Sequence, residues 1–410
     1  MRPISNQPLS PVARAEKATA QQTSQQQQLS QSLQGISDLL AQTESLVSAR
    51  IETEINEGIK TVLEHGRFVM GPEVVEFEQK LASFGKAKHA LGCANGTDAL
   101  LLPLMAWGIG PGDAVFCPSF TYCATTEIIA HIGATPVFID MDRETYNMDS
   151  CSLKKAIEEV KAKGELTPRA VIAVDLFGQS ADYEAIAPIA RAHGLKLVAD
   201  SAQGFGTTLN GKQPLEWADI TTTSFFPAKP LGCYGDGGAV LMNDDELRDV
   251  IDSLRIHGKG TDKYDNVRIG VNSRLDTLQA AILLPKLEIF ADEIEKRNII
   301  AQRYIDGLKD HALRVPKVMD GVISTWAQFT IEVPNFASFG AALSEKGIPT
   351  ARYYPKPIHM QTAYSDFPVQ GNGLTNTMDC CDKIISLPMH PYLDEDTQDM
   401  IIETAKAALA

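Results

Sequence analysis

Four stretches of this sequence place reactive side chains beside turn residues. In ITTTSFFPAKPLGCYGDGGAV (220–240), Lys229 follows an apolar, β-branched run, in a stretch rich in glycine, proline and aromatics and poor in other charge. A lysine desolvated there would have a depressed pKa and could condense with a carbonyl as a Schiff base. An exposed loop lysine is the plainer reading. In KLVADSAQGFG (196–206), Asp200 ends an apolar run and is either a functional carboxylate or a cap on the next turn. In CANGTDALLLPLMAWG (93–108), Gly96 and Thr97 precede an apolar helix. Free N–H groups and the positive dipole end at such a helix start suit a phosphate, although Thr97 could simply cap the helix. In RIGVNSRLDTLQAAI (268–282), Asn272 and Arg274 stand at a predicted helix start, where an N-cap and a solvated charge are the plainer reading. Together these residues form a set that none forms alone. Pyridoxal 5'-phosphate needs a lysine for its aldehyde and a carboxylate to keep its pyridine nitrogen protonated. It also needs a phosphate cradle, here Gly96, Thr97 and Ser224. The glycines at 232, 235, 237 and 238 spell neither GxGxxG nor GxxxxGK[ST], so dinucleotide and P-loop readings lose support.

Such residues need a scaffold. Apolar runs at 114–117, 136–140, 170–177, 196–200, 220–226 and 238–242 alternate with helical stretches such as SLKKAIEEVKA and DYEAIAPIARAHG. Continuous apolar strands between helices predict an α/β fold with a mostly parallel sheet buried on both faces. Ligands then sit beyond the carboxyl ends of strands, where Asp200 and Lys229 fall. A long helix is predicted over 275–308. The last hundred residues mix short strands, one at 326–333, with helices, which reads as a smaller α+β domain. Residues 1–35 are polar and repetitive, with QQTSQQQQLSQSLQ at their centre, and are expected to be disordered. Apolar residues at helical spacing predict a helix over 36–65. The expected units are therefore 1–35, 36–65, a large domain over 66–290 and a small one over 291–410.

Composition excludes other classes. The 410 residues carry 37 Lys+Arg against 52 Asp+Glu, a net charge of −15. Residues 1–50 hold four basic and three acidic groups, so the acidity lies in the rest. Phosphate backbones and anionic membranes both need basic surface, so nucleic acid and membrane are not expected partners. Seven cysteines without framework spacing, no CxxC and no HExxH give no expectation of a metal site, and suggest a reducing, cytoplasmic setting.

The sequence resembles the DegT/DnrJ/EryC1/StrS family of pyridoxal-phosphate sugar aminotransferases from about Ile55 onward. GPEVVEFEQKLASF, CANGTDAL, PSFTYCATTE, ADSAQGFG, SFFPAKPLGCYGDGGA, GVNSRLDTLQAAIL, YYPKPIHMQ and SLPMHP carry the likeness. The resemblance implies a type I, aspartate-aminotransferase-like fold with a seven-stranded sheet. It implies Lys229 as the cofactor-bound lysine and Asp200 at the pyridine nitrogen. Gln203 would lie near the cofactor hydroxyl and Tyr122 on the ring. Gly96, Thr97 and Ser224 would hold the phosphate, joined by Asn272 from a neighbouring subunit. Arg274 from that subunit and His359 would face the sugar, and a homodimer would have its sites at the interface. The donor would be L-glutamate, leaving as 2-oxoglutarate. The acceptor would be a UDP-linked 2-acetamido hexuluronic acid with a 3-keto group. Other 3-keto or 4-keto nucleotide sugars, or a cofactor-binding regulator without activity, are the alternatives. A related dehydratase branch has histidine in place of the lysine, so Lys229 favours transamination. The family usually reads Glu-Asp-Ala-Ala where this chain has Ala199-Asp200-Ser201-Ala202.

Overall fold

A computed structural model of the chain describes residues 49–262, 264–371 and 373–410. The polar leader expected over 1–35, and the start of the helix expected over 36–65, lie outside the described residues. Helix α1 is in place from 49 to 65 and buries Ile51, Ile55 and Val62. Pro72 opens α2 (Pro72–Phe84), a first-turn position where its missing N–H costs nothing.

Then strands and helices alternate: β1 (His89–Cys93), α3 (Gly96–Ala106), β2 (Asp113–Pro118), α4 (Ala124–His131), β3 (Thr135–Ile139) and α5 (Ser150–Lys163). Asp149 caps α5 by accepting from the Ser152 N–H, and Gly164, at φ +68°, ends it in the left-handed region. The series continues with β4 (Thr167–Val174), α6 (Tyr183–Ala192), β5 (Lys196–Asp200), the short β6 (Thr208–Leu209), β7 (Ile220–Ser224), β8 (Gly238–Met242) and α7 (Asp245–Leu254). The seven-stranded sheet has the order β1-β8-β7-β5-β4-β2-β3, and β8 alone runs against its neighbours.

The burial explains the continuous apolar runs. On β2, Val115 and Cys117 face α3, α4 and α7, while Ala114 and Phe116 face α5 and α6. On β4, Ala170 and Ile172 take the first face and Val171 and Ala173 the second. These two strands bury residues on both faces, so their apolar residues run on without alternation.

Helix α8 (Thr277–Leu308) follows. Its first half packs with α2 against β1 and β8 through Leu283, Leu287 and Phe290. Its second half, through Ile300, Ala301, Tyr304 and Leu308, enters a separate core. That core is built from β10 (Phe329–Glu332) paired antiparallel with β11 (Ile384–Leu387), and from α9 (Phe336–Ser344) and α11 (Glu395–Leu409). Strand β9 (Val322–Ile323) pairs with β6, and α10 (Thr375–Cys381) precedes β11. No described helix is long and apolar enough to cross a membrane.

Candidate active site

The reactive residues gather at the carboxyl ends of β5 and β7 and at the start of α3. Asp200 is the last residue of β5 and only 3% exposed. Its carboxylate accepts from Thr125 Oγ1 at 2.8 Å and from the Ala202 N–H at 3.2 Å. Burial pushes its pKa up, and those two hydrogen bonds and the charge of Lys229 oppose the shift. Lys229 lies in the loop after β7, where its N–H donates to the Phe226 carbonyl at 2.8 Å. The side chain is half-buried, and its Nζ makes no hydrogen bond among the described residues. Burial lowers its pKa and the Asp200 charge raises it, so each group acts on the other.

Beside them, Asn95 caps α3 by accepting from the Asp98 N–H at 2.8 Å. Thr97 is therefore not the cap. The N–H groups of Gly96 and Thr97 have no acceptor among the described residues. Ser224, at the end of β7, closes the other side of this cradle. A Cβ added at Gly96 would stand 2.6 Å from Ser224 Cβ and 3.0 Å from its Oγ. Glycine is required at 96 by this close approach, and a side chain there would push Ser224 and the helix start apart. Gly96→Ala is expected to weaken cofactor affinity about 10- to 100-fold, the result of forcing a methyl group into a filled space. Titration of the purified variant with pyridoxal 5'-phosphate, followed by absorbance, measures it.

Gln203 is buried between two partners. Its Oε1 accepts from the Phe177 N–H at 2.7 Å and its Nε2 donates to Tyr354 Oη at 2.9 Å. Tyr122 is 57% exposed, a ring free to stack, and its carbonyl accepts from the N–H of Thr125, the residue that holds Asp200. His359 Nδ1 lies 2.6 Å from Ser119 Oγ at the end of β2, and burial lowers its pKa. Ser201, where the family pattern has alanine, donates from its Oγ to the buried Asp175.

Asn272 and Arg274 sit differently from expectation. They do not begin a helix: α8 starts at Thr277 with Asp276 in the cap position. Residues 271–273 instead run beside 254–256, with the Ser273 N–H on the Arg255 carbonyl at 2.9 Å. Ser273 Oγ accepts from the Ala94 N–H, which sets the segment against the end of β1. Asn272 is exposed and Arg274 half-buried. No side-chain hydrogen bond or ion pair among the described residues joins either to Asp200, Lys229 or Gln203. Asn95, Thr125 and Tyr354 belong to the site without having been singled out in the sequence. The capping spacing Asn95–Asp98 was a usable signal; the other two contacts are non-local.

A family model described as the DegT/DnrJ/EryC1/StrS aminotransferase family matches residues 49–406. The chain belongs to this aminotransferase family. It is 48% identical over 352 residues to a Pseudomonas aeruginosa protein named UDP-2-acetamido-2-deoxy-3-oxo-D-glucuronate aminotransferase, covering 84% of this chain and 93% of that one. Its fold is that of a DegT/DnrJ/EryC1/StrS aminotransferase from Brucella abortus at TM-score 0.88 and 49% identity, over 89% of this chain and 98% of the other. NtdA from Bacillus subtilis, solved with bound cofactor PMP, superposes at TM-score 0.78 with 28% identity, over 87% and 81% of the two chains. The aminotransferase is thus an enzyme of the type I, aspartate-aminotransferase-like fold.

Proposed function

We propose that this aminotransferase uses pyridoxal 5'-phosphate to move an amino group from L-glutamate to the 3-keto carbon of a UDP-linked 2-acetamido hexuluronic acid. The product would be the corresponding 3-amino sugar, made for polysaccharide assembly in the cytoplasm. The observation that carries the reading is Lys229 facing buried Asp200 beside a helix start whose Gly96 and Thr97 N–H groups have no acceptor among the described residues. The 48% identity to the Pseudomonas aeruginosa aminotransferase supports the substrate.

When bound, the cofactor supplies an aldehyde to carry the amino group and a ring to take up electrons. The residues divide the remaining work. Lys229 would hold the cofactor covalently. Its Nζ, whose pKa burial lowers, would be the group placed to move the proton at the donor's α-carbon. Asp200 would hold the proton on the ring nitrogen, and Thr125 fixes the carboxylate for that task. Gln203 would meet the ring hydroxyl, Tyr122 would cover the ring, and Gly96, Thr97 and Ser224 would take the phosphate. Glutamate would leave as 2-oxoglutarate before the sugar enters, and the same residues would then act in reverse.

Asn272 and Arg274 would serve the site of a second subunit, Asn272 at the phosphate and Arg274 at the sugar carboxylate, with His359 also at the sugar. Their segment points outward and carries exposed Tyr264, Val267 and Ile269. An apolar strip of this kind fits burial in a homodimer. The two-domain division at 66–290 and 291–410 belongs to the same proposal, with α8 spanning both parts.

The test is the purified enzyme with glutamate and a panel of UDP- and dTDP-linked keto sugars, with products read by mass spectrometry. Amination of the 3-keto uronic acid is expected. Preference for a neutral or 4-keto sugar would overturn the substrate. Arg274→Ala is expected to raise KM for the uronic acid about 100-fold, since a guanidinium–carboxylate pair is lost, and to affect a neutral sugar far less. Steady-state kinetics on both sugars check it.

A further inference from the structure

One buried acid has no part in the chemistry above. Asp175 directly follows β4, fully buried, and its N–H donates to the Asp200 carbonyl at 3.0 Å. Its Oδ1 accepts from the Ala181 N–H and from Tyr183 Oη, both at 2.8 Å, and its Oδ2 accepts from Ser201 Oγ. The chain after Asp200 comes so close that a Cβ at Gly204 would lie 2.3 Å from Asp175 Cβ. Two residues beyond Asp175, the Phe177 N–H holds Gln203 Oε1. One carboxylate therefore braces the turn that presents both Asp200 and Gln203.

We propose that Asp175 is a positioning residue for the cofactor ring, a second buried carboxylate tied by Ser201 to the Asp200 turn. In its ionised form it would add to the charge of Asp200 in keeping the ring nitrogen protonated. This rests on the assignment of Asp200 to that nitrogen. The groups facing Asp175 are Asp200 from β5 and Tyr183 from α6, and no lysine, arginine or histidine among the described residues pairs with it. Burial, with Asp200 adding to it, raises the Asp175 pKa to about 7, and the hydrogen bonds from Ser201, Ala181 and Tyr183 resist that rise. Three donors aimed at one carboxylate favour its ionised form, which a purely space-filling residue would not need. The protonated ring nitrogen beside Asp200 would favour it further.

The test uses holoenzyme loaded with pyridoxal phosphate labelled with ¹⁵N in the ring. The nitrogen chemical shift, followed against pH, gives the midpoint at which the ring proton is lost. Asp175→Asn keeps the shape and removes the charge, so the midpoint is expected to fall by about one pH unit, a typical effect of one nearby charge in a protein interior. Ser201→Ala keeps the carboxylate but weakens its ionised form, and should lower the midpoint by less; it carries the test if Asp175→Asn does not fold. A midpoint unchanged in these variants overturns the proposal. Asp200→Asn separates the two assignments. If that variant loses the ring proton while Asp175→Asn keeps the wild-type midpoint, only the role of Asp175 fails. If Asp200→Asn also titrates like wild type, the Asp200 assignment falls with it.

Discussion

Replacing Lys229 with alanine is expected to lower turnover with glutamate by at least about 10⁴-fold, the upper range for losing a positioned proton-transfer group. The loss should exceed that of any neighbouring residue because Lys229 does two jobs with one nitrogen. It bonds the cofactor, and it carries the proton that the reaction must move. The structure makes both feasible: the amine is half-buried, makes no hydrogen bond among the described residues and has its pKa lowered by burial. A neutral amine is therefore present at lower pH than for a free lysine. The cradle at Gly96 and Ser224 is untouched by the change, so the variant should still bind cofactor without a covalent bond. Borohydride reduction followed by peptide mass mapping should fix the cofactor on Lys229 in the wild type and nowhere in the variant. Many turnovers per site in Lys229→Ala would remove it from the role of base.

Asp200→Asn should cost about 10³-fold in kcat, comparable to losing an electrostatic group aimed at developing charge. Asparagine is nearly isosteric and can still accept from Thr125 Oγ1, so packing should hold. What it lacks is the negative charge that keeps a proton on the ring nitrogen. Burial pushes the pKa of the Asp200 carboxyl up, and Thr125, the Ala202 N–H and Lys229 each favour the ionised form against it. Pre-steady-state measurement of the glutamate half-reaction isolates this step. A variant within a few-fold of wild type would mean that the ring nitrogen meets another group.

Much of this site was legible from residue order alone, for a physical reason. Strands buried on both faces read as unbroken apolar runs, so KLVAD (196–200) matches β5 residue for residue, and the acid that ends it falls at the ligand edge. The reversed direction of β8 leaves no such mark, because an antiparallel strand buried on both faces has the same composition as a parallel one. β1 is hidden by its glycine, HALGC being too weak a run to stand out. The predicted run 170–177 overshoots β4 because Asp175 and Leu176 turn away after Val174. Asn95 and Thr97 are both capping residue types, and only the Asn95–Asp98 bond decides between them. Thr125 and Tyr354 reach the site across 75 and 151 residues of sequence, pairings that depend on the finished topology.

Helix α8 runs through two of the hydrophobic cores. Its first half completes the packing beneath β1 and β8, and its second half fills the core of the C-terminal strands. Between these ends, Lys286 donates to the Gly232 carbonyl at 2.8 Å, on the loop that carries Lys229. A helix of 32 residues, about 48 Å long, couples the packing at its two ends through one continuous backbone. The C-terminal layer is thus part of the cooperative unit that holds the lysine loop in place. Damage there should melt the catalytic centre with it, and selective loss of the last hundred residues would leave no working half-enzyme behind.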